Sequence, residues 1–195
     1  MHRARKSLGQ HFLKDKNIAR KIVQSLQLQK GDCVVEIGGG RAILTDCILE
    51  AFPNGGITFD VIEKDARVIR MLRSRSSYNW YTVLCEDVLN IDFTQHAARG
   101  KKRLKIVGNI PYNITSEILF HLIAHSQVIA CAVLMVQREF AERLAAGPGT
   151  KAYGRLSVMV NGYARVKKLF HVRPHLFRPR PRVHSTVVYI DFKTA

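Results

Sequence analysis

Residues 33–40 read CVVEIGGG, an apolar run that ends in three consecutive glycines. The run predicts a short buried strand, because it is almost wholly apolar and is bounded by turn-forming residues. Glycines let the backbone turn sharply and approach a ligand closely, since they carry no Cβ atom. Helical periodicity returns over residues 42–51. The stretch therefore predicts a strand, a tight turn and a helix in succession, the unit from which doubly wound α/β sheets are built.

The same alternation continues on both sides of this unit. Helical spacing of apolar residues predicts further helices at 17–28, 65–75, 115–124, 138–144 and 154–163, and apolar runs predict further strands at 57–62, 81–85, 104–107, 128–136, 164–172 and 185–192. Strands that alternate with helices favour a parallel sheet. No helix is predicted between the last two strands, so we expect an antiparallel strand at the end. We expect residues 1–195 to form one domain.

Acidic residues lie at the ends of the first three predicted strands. Glu36 precedes the glycines, Glu63 lies 25 positions beyond Gly38, and Asp87 follows the next strand. Ligands of open α/β sheets bind at the carboxyl ends of the strands, where Glu63 could accept hydrogen bonds from ribose hydroxyls and Asp87 from an adenine amine. We therefore expect a cofactor at these residues and at Gly40. The glycine cluster alone is equally compatible with a nicotinamide dinucleotide site.

The segment GNIPYN, residues 108–113, directly follows another predicted strand. Pro111 lacks an amide hydrogen and disfavours a helical Ile110, so the segment is predicted to be a rigid, extended turn. Such a turn fixes the side-chain oxygen of Asn109, the carbonyl of Ile110 and the ring of Tyr112. Two neutral acceptors can hold an exocyclic amine while an aromatic ring stacks on a flipped base. A proline turn with a capping asparagine is the plainer interpretation of the same residues.

The charge of the chain predicts a polyanionic partner. Thirty-one Lys and Arg residues against fifteen Asp and Glu residues give a formal net charge of +16, and basic side chains that meet phosphates release condensed counterions. Between residues 143 and 190 there are ten basic residues and no acidic one. We expect two basic stretches to contact RNA, one with Arg178, Arg180 and Arg182 and the other, near the N-terminus, with Arg3, Arg5 and Lys6. Solvated charged faces are the alternative.

The remaining residue classes predict neither a metal site nor a membrane segment. The four cysteines, Cys33, Cys47, Cys85 and Cys131, form no C-x-x-C pair, and the eight histidines show no H-E-x-x-H spacing. We expect the cysteines to be small buried side chains in a reducing compartment. No apolar run approaches the ~20 residues that a membrane helix needs. We expect a soluble monomer, cytoplasmic or organellar, without a metal.

Taken in order, these motifs resemble the ribosomal RNA adenine dimethyltransferase family over roughly residues 6–192. The resemblance rests on GQHFL at 9–13, EIGGG at 36–40, Glu63, Asp87, NIPY at 109–112, AYGRLSVM at 152–159 and FRPRPRV at 177–183. It implies a class I S-adenosylmethionine methyltransferase with a Rossmann-like, mostly parallel seven-stranded sheet. The implied cofactor is S-adenosylmethionine, contacted also by Gln10, His11, Leu13 and Asn109.

The resemblance also implies the reaction and the partner. Methyl groups would pass to the N6 amine of adenines in small-subunit ribosomal RNA, giving dimethyladenosine, and the partner would be a precursor of the small ribosomal subunit. Phe177 would pack on the target base opposite Tyr112. No strong catalytic base is expected, because the product ammonium can lose its proton to water.

The chain departs from the family pattern in two respects. Ala42 stands where the family has a third glycine, so the cofactor loop is expected to be shifted or to bind less tightly. The family normally adds a small helical C-terminal domain, which we expect to be absent here.

Three rival functions are compatible with parts of the sequence. They are a large-subunit adenine methyltransferase of the antibiotic-resistance type, a non-catalytic RNA-binding or transcription-factor relative, and a nicotinamide oxidoreductase, which would leave residues 109–112 and 177–183 unexplained.

Overall fold

The computed structural model describes residues 10–74 and 79–193. They form nine strands and seven α-helices, among which lie three short 3-10 turns. The strands are β1 Phe12–Leu13, β2 Cys33–Ile37, β3 Thr58–Glu63, β4 Tyr81–Cys85, β5 Leu104–Asn109, β6 Ile129–Gln137, β7 Ala164–Val172, β8 Phe177–Arg178 and β9 Ser185–Phe192. The helices are α1 Lys16–Ser25, α2 Ile43–Ala51, α3 Ala66–Arg73, α4 Phe93–Ala97, α5 Thr115–Ala124, α6 Arg138–Leu144 and α7 Arg155–Tyr163.

Seven of the strands form one twisted sheet in the order β4-β3-β2-β5-β6-β9-β7. All neighbours pair in parallel except β9, which is antiparallel to both β6 and β7. The predicted mostly parallel seven-stranded sheet with an antiparallel C-terminal strand is therefore confirmed. The chain runs outward from β2 through β3 to β4 and then returns to β5 on the other side of β2. Such a reversal opens a crevice above the strand ends, which is where ligands of these sheets bind.

Helices cover both faces of the sheet because the strand residues alternate between two apolar layers. In β2, Val34 faces the layer that includes side chains of α1, α2 and α3, and Val35 faces the layer that includes those of α4, α5, α6 and α7. A strand buried on both faces reads as a continuous apolar run rather than an alternating one. This explains why the central strands were detectable in the sequence.

Aspartate side chains set where several of these helices begin. Asp15 Oδ1 accepts hydrogen bonds from the amides of Asn17 and Ile18, and Asp65 Oδ1 accepts one from the amide of Arg67. An N-cap of this kind stabilises a helix by about 1 kcal/mol, since it satisfies amides that have no partner within the helix. These caps place α1 and α3 within one or two residues of their predicted starts.

Several details of the fold differ from the sequence expectations. The strands β1 and β8 form a separate antiparallel ribbon that was not predicted, and neither was α4. Helix α1 ends at Ser25 rather than at residue 28, because Gln27 adopts a φ of 48° that a helix cannot contain. Cys85, expected to be buried, is exposed because it ends β4, the edge strand of the sheet. The described residues include no helix with the length and apolar character of a membrane span.

Candidate active site

A cavity of about 290 Å³ lies at the carboxyl ends of β2, β3, β4 and β5. Its size is near the lower end of the ~300–1,000 Å³ range of small-molecule sites. The residues that line it include every cofactor and catalytic residue expected from the sequence except Phe177: Gln10, His11, Leu13, Glu36, Gly38, Gly40, Glu63, Asp87, Asn109, Ile110, Pro111 and Tyr112. The sequence-predicted residues are thus brought together, although they come from distant parts of the chain.

The glycine turn after β2 forms one wall of the cavity in a left-handed backbone conformation. Gly38 has a φ of 78° and Gly40 a φ of 52°, and a Cβ atom on Gly40 would lie 3.3 Å from Cδ1 of Phe12. A Cβ atom on Gly38 would meet nothing within 4 Å and would extend into the open space that a ligand needs. Ala42 has a φ of 63° as well, a conformation that costs an L-residue roughly 1–2 kcal/mol. The weaker cofactor binding expected from Ala42 stays a prediction.

Glu63, at the end of β3, ties two backbone segments around the cavity. Its Oε2 accepts a hydrogen bond of 3.1 Å from the amide of Gly40, and its Oε1 accepts one of 2.8 Å from the amide of Asp65. A carboxylate has about four acceptor positions, so these two bonds leave capacity for ligand hydroxyls. The side chain is therefore held rigidly while it can still accept further hydrogen bonds.

Glu36, at the end of β2, is only 1% exposed. Burial raises the pKa of its carboxyl to about 8, and the nearby Glu63 and Asp46 add to the rise, whereas a hydrogen bond from Thr45 opposes it. That bond joins Thr45 Oγ1 to Glu36 Oε2 at 2.7 Å. Because desolvation disfavours the charged form, burial favours the protonated form of Glu36 at neutral pH.

Asp87 is engaged at both oxygens, which the sequence did not indicate. Oδ1 accepts from the amide of Leu89 at 3.1 Å, and Oδ2 accepts from Nζ of Lys64 at 2.6 Å. The hydrogen bond from Lys64 holds the pKa of Asp87 below its ordinary value. Lys64 lines the cavity and was missed, since a single lysine between two acids gives no specific signal. An adenine amine that bonded to Asp87 would share this carboxylate with the ammonium or displace it.

The proline turn after β5 orients the Asn109 amide. Nδ2 of Asn109 donates a hydrogen bond of 2.8 Å to the backbone carbonyl of His11. Because the amide is planar, this bond leaves Oδ1 as the acceptor on the opposite branch. Pro111 has a φ of −62° and a ψ of 134°, the extended geometry predicted for the turn. The hydroxyl of Thr115 donates to the Pro111 carbonyl at 3.1 Å and fastens the turn to α5.

Tyr112 is held at its ring and at its hydroxyl. The ring stacks on the imidazole of His11, with centroids 5.5 Å apart and planes inclined by 24°. The hydroxyl lies 2.6 Å from Oγ of Ser185, the first residue of β9. The same imidazole hydrogen-bonds through Nδ1 to the carbonyl of Pro179 at 2.9 Å. Ser185 was not predicted from the sequence, because a serine at a strand start is common and carries no specific pattern.

Phe177 does not occupy the position expected of it. Its side chain is 2% exposed, packs in the same apolar cluster as Leu13, and does not line the cavity. The reason is the unpredicted ribbon, which pairs Phe177 with Leu13. The expectation that Phe177 stacks on a base opposite Tyr112 stays a prediction, and the ring that stacks on Tyr112 in this structure is that of His11.

The basic strip beside the cavity is exposed. Arg178, Arg180 and Arg182 all face solvent, and the Pro179 carbonyl between them bonds to His11 on the cavity wall. The other predicted RNA contacts, Arg3, Arg5 and Lys6, lie outside the described residues. Within the described ranges, no three His, Cys, Asp or Glu side chains are grouped so that they could hold a metal ion.

Comparison with known proteins gives consistent matches. A model of the family "Ribosomal RNA adenine dimethylase" matches residues 1–195. The chain is 42% identical over 187 residues to "Ribosomal RNA small subunit methyltransferase A" of Alcanivorax borkumensis, covering 96% of this chain and 65% of the relative. It is 46% identical over 186 residues to the protein of that name from Prosthecochloris aestuarii, covering 95% and 68%. The chain thus spans about two thirds of the length of these relatives.

Two solved structures share the fold closely. A dimethyladenosine transferase from Plasmodium falciparum superposes with a TM-score of 0.81 at 33% identity, over 94% of this chain and 64% of the other. The 23S rRNA methyltransferase ErmE superposes with a TM-score of 0.79 at 26% identity, over 93% and 70%. These neighbours confirm the expected class I methyltransferase fold. By its whole-length match, its relatives and its fold, the chain belongs to the ribosomal RNA adenine dimethylase family.

Proposed function

We propose that this chain transfers methyl groups from S-adenosylmethionine to the N6 amine of adenines in small-subunit ribosomal RNA, giving dimethyladenosine. The observation that carries the proposal is the orientation of Asn109. Its amide nitrogen is occupied by the His11 carbonyl, so its oxygen is available as a neutral acceptor beside the cavity. A nicotinamide oxidoreductase would have no use for such an acceptor.

The cavity residues suit S-adenosylmethionine. Three carboxyl groups, those of Glu36, Glu63 and Asp87, surround a space lined mainly by apolar side chains and backbone, and the donor is a cation with a ribose and an adenine. The open space at Gly38 is where a side chain would obstruct a ligand. Gln10, His11, Leu13 and Gly40 complete the proposed set of contacts. When bound, the donor supplies an electrophilic methyl group.

The chain's own residues prepare the adenine amine as a nucleophile. The lone pair of this amine is delocalised into the ring, so the nitrogen is planar and reacts poorly. Asn109 Oδ1 and the Ile110 carbonyl each accept one amine hydrogen, which favours a pyramidal nitrogen with its lone pair toward the methyl group. The same acceptors stabilise the positive charge that develops on nitrogen, as fixed dipoles do in a site that excludes water. Orientation of this quality can lower a barrier by up to about 7–11 kcal/mol.

Tyr112 holds the base against these acceptors. Stacking of a base on an aromatic ring is worth roughly 1–3 kcal/mol, and Pro111 fixes the ring relative to Asn109 through the rigid backbone turn. The product ammonium is acidic enough to lose its proton to water, so no side chain is required as a strong base. We further propose that residues 1–195 act as one methyltransferase domain.

The small subunit is the favoured source of the RNA. Relatives at 42–46% identity carry the name of a small-subunit enzyme, whereas the resemblance to the 23S rRNA methyltransferase ErmE is 26%. The exposed strip of Arg178, Arg180 and Arg182 would follow the RNA backbone into the cavity, and Arg3, Arg5 and Lys6 would extend this surface. Phosphate contacts position a nucleic acid without reading its sequence.

The test is transfer of labelled methyl groups. Purified protein and tritiated S-adenosylmethionine are incubated with small ribosomal subunits or with large subunits, and the RNA is digested to nucleosides. Dimethyladenosine from the small subunit alone is the expected result. Label in the large subunit alone would indicate the resistance-type activity, and donor binding without transfer to either subunit would indicate a non-catalytic relative.

Asn109→Ala tests the mechanism within the same assay. Transfer should fall by at least 100-fold, the order seen when a preorganised polar group at a reacting centre is removed, while donor affinity measured by calorimetry changes little. Asn161→Ala, at an exposed asparagine of α7, is the matched control and should keep full transfer. Comparable turnover by Asn109→Ala and the parent would rule out the proposed role of the amide.

A further inference from the structure

We infer that Ser185 is a positioning residue of the proposed transfer reaction, acting through the Tyr112 hydroxyl to fix the position of the ring on which the target adenine stacks. The inference rests on the proposed function and adds a residue that lies outside the cavity lining. It starts from the 2.6 Å contact between the Tyr112 hydroxyl and Ser185 Oγ, which joins a side chain on a short turn to the interior of the main sheet.

Ser185 is anchored on both sides. It begins β9, where it pairs with Gln137 of β6 and with Val172 of β7. The preceding residue, His184, accepts a backbone hydrogen bond of 2.9 Å from Arg138. The Ser185 side chain is 0% exposed. Its hydroxyl is therefore held in place, because the backbone cannot shift without breaking the ladder of the sheet and the buried side chain is surrounded by close-packed atoms.

Tyr112 has a backbone that is fixed by the proline turn, but the orientation of its side chain depends on contacts with other elements. It lies in a three-residue 3-10 turn, Tyr112–Ile114, whose starting residue Pro111 makes no side-chain cap. Rotation of the ring would be limited on one face by His11. Movement of the far end of the ring, through rotation about the Cα–Cβ bond, would be limited by the hydroxyl, since a buried hydroxyl that leaves its partner loses the whole hydrogen bond. Burial also raises the pKa of the Tyr112 phenol, so the hydroxyl keeps its proton at neutral pH.

A fixed ring position matters for this reaction, because the target base must stack on the ring and reach the two amine acceptors at the same time. Asn109 and Ile110 precede Tyr112 in the same turn, and small errors in the angle of the base displace the amine from its acceptors. Misplacement by about 1 Å can lower a rate by 100-fold. Removing the hydroxyl of Ser185 should therefore slow the chemical step more than it weakens the binding of RNA, to which the exposed arginines contribute.

A double-mutant cycle tests the inference. Ser185→Ala, Tyr112→Phe and the double variant are compared with the parent in the transfer assay on small subunits, with kcat and KM determined separately. Each single variant should lower kcat by about 3- to 10-fold, the equivalent of one neutral hydrogen bond, with KM for the subunit and Kd for the donor within about twofold. The double variant should equal Tyr112→Phe, because Ser185 then has no hydroxyl to hold.

Ser157→Ala is the matched control. Ser157 is also 0% exposed and donates a 2.6 Å hydrogen bond to the Arg143 carbonyl, but it does not line the cavity or contact Tyr112. It should lower the melting temperature as Ser185→Ala does and leave kcat unchanged. The inference would be overturned if the losses of kcat in Ser185→Ala and Tyr112→Phe multiplied in the double variant. An unchanged kcat in Ser185→Ala would also overturn it. A parent that methylates no subunit would refute the proposed function and this inference together, whereas an active parent with either of those results would refute the inference alone.

Discussion

Replacing Glu36 with glutamine should stabilise the protein increasingly as the pH rises. Burial raises the pKa of the Glu36 carboxyl from the ordinary 4.5 to about 8, so the native state keeps a proton that the unfolded chain has already lost. The stability contributed by this proton is fully present below about pH 4.5 and is lost as the pH rises through about 8. Glutamine is neutral at every pH and escapes this loss.

The size of the effect follows from the two pKa values. Each unit of difference corresponds to about 1.4 kcal/mol, so the gap in unfolding free energy between Glu36→Gln and the parent should widen by roughly 4 kcal/mol between about pH 5 and pH 8. That is a large part of the ~5–15 kcal/mol that holds a domain folded. Glutamine has the size of glutamate and can still accept the hydrogen bond from Thr45, so packing changes little.

Urea unfolding followed by circular dichroism at half-unit steps of pH measures this gap directly. Glu50→Gln is the control, because Glu50 is an exposed carboxylate that accepts a 2.6 Å hydrogen bond from Lys16, which lowers its pKa. The gap between this control and the parent should not widen across the same interval. Parallel curves for Glu36→Gln and the parent, or a gap that widens toward acid pH, would mean that Glu36 does not retain a proton in the folded protein.

Three further outcomes are expected. Lys64→Met should tighten the binding of S-adenosylmethionine by about two- to fivefold, because Lys64 no longer competes for Asp87; calorimetry that gives an unchanged Kd would argue against this competition. Gly39→Ala should lower the unfolding free energy by about 1–3 kcal/mol, since its Cβ atom would lie 2.6 Å from Cδ1 of Leu72, and an unaltered urea midpoint would contradict the packing. Arg180→Ala should reduce the slope of log affinity against log salt for RNA by about 0.7; a slope equal to that of the parent would exclude a phosphate contact.

Local sequence was sufficient for the central sheet and for most of the cavity. The strands β2, β3 and β5 are buried on both faces, so their residues form largely apolar runs that can be recognised without knowledge of distant contacts. The acids Glu36 and Glu63 lie at the carboxyl ends of such strands, and parallel strands bring these ends to one edge of the sheet. The positions of these side chains therefore follow from the fold class together with the spacing along the chain.

Features that depend on distant pairing were not predictable in this way. Two-residue strands such as β1 and β8 have no periodicity, and only their mutual pairing explains why Phe177 is buried. The ion pair between Lys64 and Asp87 joins residues 23 positions apart, and the Ser185 contact spans 73 positions. In each case the partner is distant in the sequence, so the contact could be identified only from the tertiary structure.

The placement of β9 between β6 and β7 has a consequence for how the polypeptide matures. Proteins are made from the N-terminus onward and begin to fold during synthesis. Strands β6 and β7 both pair with β9, so they cannot be joined in one sheet until residues 185–192 have emerged. Until then β6 offers an unpaired edge and β7 has no neighbour in the sheet. Unpaired edges of this kind promote association with other chains. The nascent protein is therefore most prone to aggregation until β9 pairs with β6 and β7.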